Sequence, residues 1–249
     1  MITALAKGAK AGAVVLAAGK GTRMGALSDQ LPKPLVPVAG HPLLDRVLDH
    51  LQAAGVADTV VNIHHLADLL QAHLKARLAG PNIVISDERD QLLETGGGVR
   101  KALDLLQEDF LVINSDALWT DSAGGDPALV RLQAAFDPGR MDACLLLVPV
   151  ADALGYDGAG DFFMDAAGQL TARGEAASAP YVYGGVQFIQ REALRPYPVM
   201  RWSLASFFRD SVASGRLYGM VHSGDWMHVG TPRGVQQAEA RLMQPGDAG

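Results

Sequence analysis

The sequence predicts an α/β fold in which a mixed, mostly parallel sheet is flanked by helices. Three observations carry that prediction. Short apolar or β-branched runs alternate with stretches of helical apolar spacing through the first 150 residues, as in strand–helix–strand units. The first apolar run leads directly into a small, basic, glycine-containing loop. A length of 249 residues with 49% hydrophobic and 19% charged residues suits a soluble protein with a sizeable core.

The first strand is expected at 13–16. Residues 43–54 (LLDRVLDHLQAA) then space apolar side chains at helical intervals and stop at Gly55. The β-branched run 59–63 is a strand. Residues 66–78 return to helical spacing, and 82–86 (NIVIS) form the next strand. A helix over 99–106 is entered through the glycine-rich stretch 93–98, with its start near Thr95. Strand 110–114 (FLVIN), helix 129–136 and strand 143–150 follow.

After Val150 the alternation breaks. Residues 161–164 and 170–173, on either side of Ala167-Gly168, predict a hairpin. A strand at 181–189, a helix at 203–213 and a strand at 217–222 come next. Thr231-Pro232 supplies a capping hydroxyl and a proline in the first turn of a last helix, which runs to about 243. Residues 245–249 read as a frayed tail. No repeat, low-complexity tract or linker intervenes, so 1–249 is expected to form one domain.

A formal charge of −6 and a pI near 5.6 argue against a nucleic-acid partner, whose phosphate backbone demands basic patches. A local basic loop in an acidic chain points instead to a small anionic ligand. The single cysteine, Cys144, lies in an apolar run, which excludes a disulfide framework and predicts a buried strand thiol. No apolar run approaches the ~20 residues of a membrane span. The lead-in with Lys7 and Lys10 only imitates a secretory signal, because its apolar core runs into Lys20 and Arg23 rather than a cleavage site. A cytoplasmic protein without a membrane partner is expected; the oligomeric state has no signature in the sequence.

The chemistry begins at the loop Ala17-Ala18-Gly19-Lys20-Gly21-Thr22-Arg23. Glycines at the end of a strand let main-chain N–H groups approach phosphate closely. Spacing removes two alternatives. A Walker loop needs Gly-Lys-Ser/Thr, but Gly21 follows Lys20; a dinucleotide fingerprint needs a third glycine where Met24 stands. Lys33, stiffened by Pro32 and Pro34, adds a further fixed cation. Such a set suits a triphosphate.

The run LAAGKGTRM followed by PKPLVPVAGHPLL resembles the N-terminal signature of sugar-1-phosphate nucleotidyltransferases. The resemblance continues through Val61-Asn62, the LETGGG run at 93–98, Asn114-Ser115-Asp116, Gly160-Asp161-Phe162, Tyr183-Gly184-Gly185-Val186 and Val229-Gly230-Thr231. LETGGG and the compact length are most similar to the N-acetylmuramate-1-phosphate uridylyltransferases, a branch serving peptidoglycan recycling. Mannose- or heptose-1-phosphate guanylyltransferases are the alternative within the class. A catalytically weak nucleotide-sugar-binding regulatory homologue is the alternative outside it.

The resemblance implies a nucleotide-diphospho-sugar transferase-like, Rossmann-like fold. A nucleotide-binding half would cover about 11–120 and a sugar-binding half about 121–243. Catalysis would rest on Arg23, Lys33 and Asp116. Ala17, Ala18, Gly19, Gly21, Thr22, Arg23, Lys33, Glu94, Gly96 and Asn114 would hold the nucleoside triphosphate. Asn114, Asp161, Tyr183 and Gly185 would contact the sugar 1-phosphate, with Asp161 equally suited to starting a hairpin.

The residue types fit that chemistry independently. A sugar phosphate already carries its anionic nucleophile, so no Ser-His-Asp set is needed; the work is positioning and charge neutralisation. Arg23 can fork onto leaving-group oxygens, and Lys33 can offer a compact charge to the α-phosphate. Asp116, after strand 110–114, is placed to hold Mg²⁺ with phosphate oxygens.

The departure is at His228, where relatives carry a second metal-binding aspartate. Imidazole suits Mn²⁺ better than Mg²⁺. Three readings therefore stand: a softer ion on His228, magnesium on Asp116 and phosphates alone, or a degraded site. Asp225 cannot substitute on a strand, because its odd offset from 228 turns it to the other face. His64 and His65 are adjacent and would diverge, so they and His41, His50, His73 and His222 are expected to be structural or surface residues. Asp121 can support the metal or cap a turn. Met200-Arg201-Trp202 can present a cation to sugar phosphate or stack Arg201 on Trp202.

Overall fold

The structure, a computed structural model, describes residues 11–25 and 27–244. The lead-in with Lys7 and Lys10 and the tail at 245–249 lie outside the described residues. The first strand, β1 (Ala11–Leu16), is followed by a 3-10 turn at Thr22–Met24, the short helix α1 (Leu27–Gln30) and a second 3-10 turn at Lys33–Leu35. A two-residue ladder joins β2 (Pro37–Val38) to β3 (His41–Pro42). Then come α2 (Leu43–Ala53), β4 (Asp58–Ile63), α3 (Ala67–Ala76), β5 (Asn82–Asp87), α4 (Glu94–Ala102), β6 (Leu106–Asn114) and β7 (Ala117–Trp119).

The second half contains α5 (Ala128–Ala135), β8 (Ala143–Pro149), β9 (Ala153–Leu154), and a hairpin of β10 (Phe162–Met164) with β11 (Leu170–Ala172). It continues with β12 (Tyr181–Gln190), α6 (Arg191–Leu194), α7 (Leu204–Ala213), β13 (Leu217–Val221), β14 (Trp226–His228) and α8 (Pro232–Leu242).

One nine-stranded sheet runs through both halves. Strands β5, β4, β1 and β6 pair in parallel. The long β12 lies antiparallel between β6 and β8, and β13 returns parallel to β8. The sheet is therefore mixed, with β12 reversing the direction at its centre.

Alternation along β1 explains why the sheet is covered on both sides. Ala13 and Val15 enter one core with Val47, Leu51 and Leu70 of α2 and α3. Val14 and Leu16 enter another with Val99 of α4 and Phe207 of α7. Strands buried on both faces must be apolar throughout, which is why VVL reads as a continuous run. Cys144 is buried in β8, and desolvation pushes its thiol up to about 12.

A third cluster positions the site. Met24, Val36, Val38 and Leu43 pack with Leu118, Met227, Val229 and Ala238. Burial of Met24 against Met227 and Val229 ties the first loop to the far end of the chain. Leu118 and Met227 belong to a separate small sheet, ordered β7-β14-β9, for which the sequence held no signal.

Two boundaries need correction. The helix entered through 93–98 starts at Glu94, beside the expected Thr95, but ends at Ala102 rather than at 106, before a 3-10 turn at Leu103–Leu105. The strand expected from 110 begins at Leu106. Thr231 caps α8 by accepting from the Gly234 N–H, with Pro232 in the first turn, as its sequence implies. Among the described residues no helix is long and apolar enough to cross a membrane.

Candidate active site

The C-terminal ends of β1 and β6 lie side by side, with Leu16 in register with Asn114. Strand neighbours continue to opposite sides from this pair, the place where open α/β sheets form a ligand crevice. A cavity of about 440 Å³ occupies it. Ala18, Gly19, Gly21 and Thr22 form one wall, Arg23 and Lys33 supply its cations, and Asn114 and Asp116 form the opposite wall.

Lys33 is buried, and its Nζ is paired with the Asp116 carboxylate. Gly21 makes this approach possible. Its φ is +61°, and a Cβ there would stand 2.9 Å from the Lys33 Cβ. Arg23, by contrast, is exposed and places one guanidinium nitrogen 3.4 Å from His228 Nε2. Gly230 leaves room for that pair, since its Cβ would fall 2.3 Å from His228 Nε2. Burial, then the positive charges of Arg23 and Lys33, lower the His228 pKa. The ring is therefore neutral at pH 7, with Nε2 accepting from Arg23.

The loop backbone is held from behind. Asn62, at the end of β4, accepts the Ala17 and Ala18 N–H groups at 2.6 and 3.3 Å. Its amide donates to Glu88 Oε1 at 2.8 Å, and Glu88 Oε2 accepts the Leu93 N–H at 3.0 Å. Glu88 is 1% exposed. A buried carboxylate thus fixes the first loop and the LETGGG loop to each other. Glu88 was not foreseen, because the polar stretch SDERD reads as solvated surface.

The glycines of LETGGG serve that packing. A Cβ on Gly96 would lie 2.3 Å from the Trp202 ring, one on Gly97 2.0 Å from the Met200 carbonyl oxygen, and one on Gly98 2.7 Å from Asn62 Nδ2. The Gly96 N–H already donates to the Trp202 carbonyl at 3.0 Å. Gly96 and Ala17 are not among the residues that line the cavity, and the Ala17 N–H is taken by Asn62. We expect Gly97→Ala to destabilise the fold by about 1–3 kcal/mol, the usual cost of overpacking. A thermal or urea unfolding curve indistinguishable from wild type would contradict this packing role.

Glu94 and Thr95 do line the cavity. Glu94 adopts φ +61°, a strained conformation for a residue with a side chain, and Arg201 forks onto its Oε1 at 3.0 and 2.7 Å. Arg201 is thus engaged by Glu94, while Trp202 stacks on Tyr197 with ring centroids 4.7 Å apart.

Two further cavities open from Asn114. One, of about 240 Å³, contains Asp161, Tyr183, Gly185 and His228. The other, of about 420 Å³, contains Asp161 and Tyr183 under α7. All four expected sugar contacts therefore border this region. Asp161 roots the hairpin, its carboxylate accepting the Tyr183 N–H at 2.9 Å, and it lines both clefts. Burial and the Asp116 charge hold the Tyr183 phenol well above its ordinary pKa, keeping it a donor. Gly185, at φ +81°, lies at the irregular stretch of β12 opposite Asn114.

The remaining histidines have separate structural partners. His64 contacts the Glu88 carbonyl, His65 the Ser28 carbonyl, His41 Asp49 and His73 Asp45. His50 stacks on Trp119, and His222 contacts the Thr120 and Asp225 carbonyls. Asp121 accepts the Ala128 N–H at the start of α5, and Asp225 pairs with Arg241. Among the described residues no three His, Cys, Asp or Glu side chains converge as a closed metal cage. Asp116 with His228 is an open donor set, suited to an ion that takes its other ligands from phosphate.

Residues 13–145 match the MobA-like NTP transferase domain. The chain is 46% identical to N-acetylmuramate alpha-1-phosphate uridylyltransferase of Caulobacter vibrioides, covering 93% of this chain and 97% of that protein. It is 32% identical to the enzyme of the same name from Neisseria meningitidis serogroup B, covering 92% and 96%. In fold it resembles HddC from Yersinia pseudotuberculosis complexed with GMP-PN, with a TM-score of 0.74, 22% identity and coverage of 92% and 98%.

Proposed function

Because the chain belongs to the MobA-like NTP transferase family, within its sugar-1-phosphate nucleotidyltransferases, we propose that it transfers UMP from UTP to N-acetylmuramate 1-phosphate, giving the nucleotide sugar and pyrophosphate. The observation that carries this reading is the convergence of Arg23, Lys33 and Asp116, from three separate segments, on one crevice of about 440 Å³. The two uridylyltransferase relatives, matched over nearly their full lengths, favour this reaction over guanylyl transfer and over a regulatory binding role.

In this reading the nucleotide half (about 11–120) and the sugar half (about 121–243) meet at Asn114. The N–H groups of residues 19–22 receive the triphosphate. Lys33 directs its charge at the α-phosphate, and Arg23 forks onto the leaving pyrophosphate. A sugar-phosphate oxygen attacks the α-phosphorus as the bond to the β-phosphate oxygen breaks, so no proton transfer is required. Preorganised charge accounts for the rate. Asp116 and His228 would hold a divalent metal, Mg²⁺ or Mn²⁺, whose charge screens the two polyanions from each other. An enzyme using UTP would work in the cytoplasm, where the product would serve cell-wall recycling.

His228 gives this site a metal preference of its own. With imidazole in place of carboxylate, activity is expected to rise more in Mn²⁺ relative to Mg²⁺ than it does in His228→Asp. Titrating both metals against both proteins checks this; superimposable profiles would remove His228 from the metal site.

A further inference from the structure

The 420 Å³ cavity beneath α7 contains a group that the reaction above does not use. Its wall is largely apolar, formed by Phe162, Leu204, Phe208 and Val212. Among the described residues lining it, Arg209 is the single cation. Residues 205, 208, 209 and 212 recur at the spacing of one helical stripe, and all four line the cavity. Arg209 is exposed and lines the cavity from its solvent-facing rim.

No hydrogen bond or ion pair among the described residues engages Arg209. Its neighbour Asp210 is committed elsewhere, accepting from the Tyr197 hydroxyl at 2.6 Å. The helix itself is held firmly: Ser203 caps it, and the Leu204 N–H donates to Thr95 Oγ1 at 2.9 Å. Thr95, Asn114 and Ser203 border both this cavity and the nucleotide crevice, so the two adjoin.

Resting on the proposed reaction, the chemistry of the sugar can be matched to this cavity. N-acetylmuramate differs from N-acetylglucosamine by a lactyl ether, which adds one methyl group and one carboxylate. With the 1-phosphate directed at the α-phosphate in the adjoining crevice, a sugar ring set against Asn114 and Tyr183 would face this cavity. The apolar wall suits the acetamido and lactyl methyl groups, and an unpaired guanidinium suits a carboxylate. We propose that Arg209 recognises the lactyl carboxylate and thereby selects an acidic sugar 1-phosphate.

The test compares kcat/KM for N-acetylmuramate 1-phosphate and N-acetylglucosamine 1-phosphate, with UTP, in wild type, R209Q and R209K. R209Q is expected to lose about 10–100-fold on the muramate substrate, mainly through KM, and less than about twofold on the glucosamine substrate. R209K should fall between. Equal losses on both sugars would reveal a structural role and overturn the proposal, as would an unchanged ratio between them. Wild-type turnover of the muramate substrate separates two failures. With normal turnover, an unaffected R209Q overturns the role of Arg209 alone; without it, the assigned reaction falls as well.

Discussion

Lys33→Ala is expected to lower kcat/KM for nucleotidyl transfer by about a thousandfold or more, with most of the loss in kcat. Lys33 is 8% exposed, clasped between two prolines and seated against Gly21. Its ammonium is therefore fixed before substrate arrives, so no reorganisation is needed as charge moves onto the leaving group. Arg23 is exposed and engaged with His228, and cannot cover the same position. The stability cost should be small, about 1–2 kcal/mol, because the Asp116 side chain left behind is 36% exposed and can be hydrated. Pyrophosphate release beside a thermal melt separates the two effects. A folded variant retaining a tenth of wild-type activity would remove Lys33 from the chemistry.

Asp116→Asn comes second, with an expected loss of about 10²–10³-fold in kcat at saturating metal. The substitution keeps shape and removes one negative charge. It takes away the carboxylate offered to the metal and the anion that orients Lys33, so both functions fail together. The double variant Lys33→Ala/Asp116→Asn should then be no worse than the poorer single variant, since the two act as a unit. Losses that multiply would indicate independent roles.

Much of the scaffold was legible because the strands of the parallel half are buried on both faces and must be continuously apolar. VVLAAG, VVNI and FLVIN declare themselves for that reason. The small sheet of β7, β9 and β14 did not, because strands of two or three residues carry no period. Yet that sheet holds His228 beside Ala117 and brings it to Arg23.

The site was legible where glycine, proline and cations coincide, as at Gly21, Arg23 and Lys33. Its packing was less legible: the three glycines of LETGGG resemble a ligand loop, and the fold also uses them to accommodate Trp202, Met200 and Asn62. Glu88 and Arg209 had no signature at all. Each is defined by what the fold brings beside it: the Asn62 amide and Leu93 N–H for one, an apolar cavity for the other.

The most direct measurement is pyrophosphate release from a matrix of the four nucleoside triphosphates against N-acetylmuramate, N-acetylglucosamine, mannose and heptose 1-phosphates, in Mg²⁺ and in Mn²⁺. Release is expected to be fastest with UTP and N-acetylmuramate 1-phosphate and to require both. Nucleotide binding without pyrophosphate release under any pairing, or a higher kcat/KM for GTP with mannose or heptose 1-phosphate, would contradict the account.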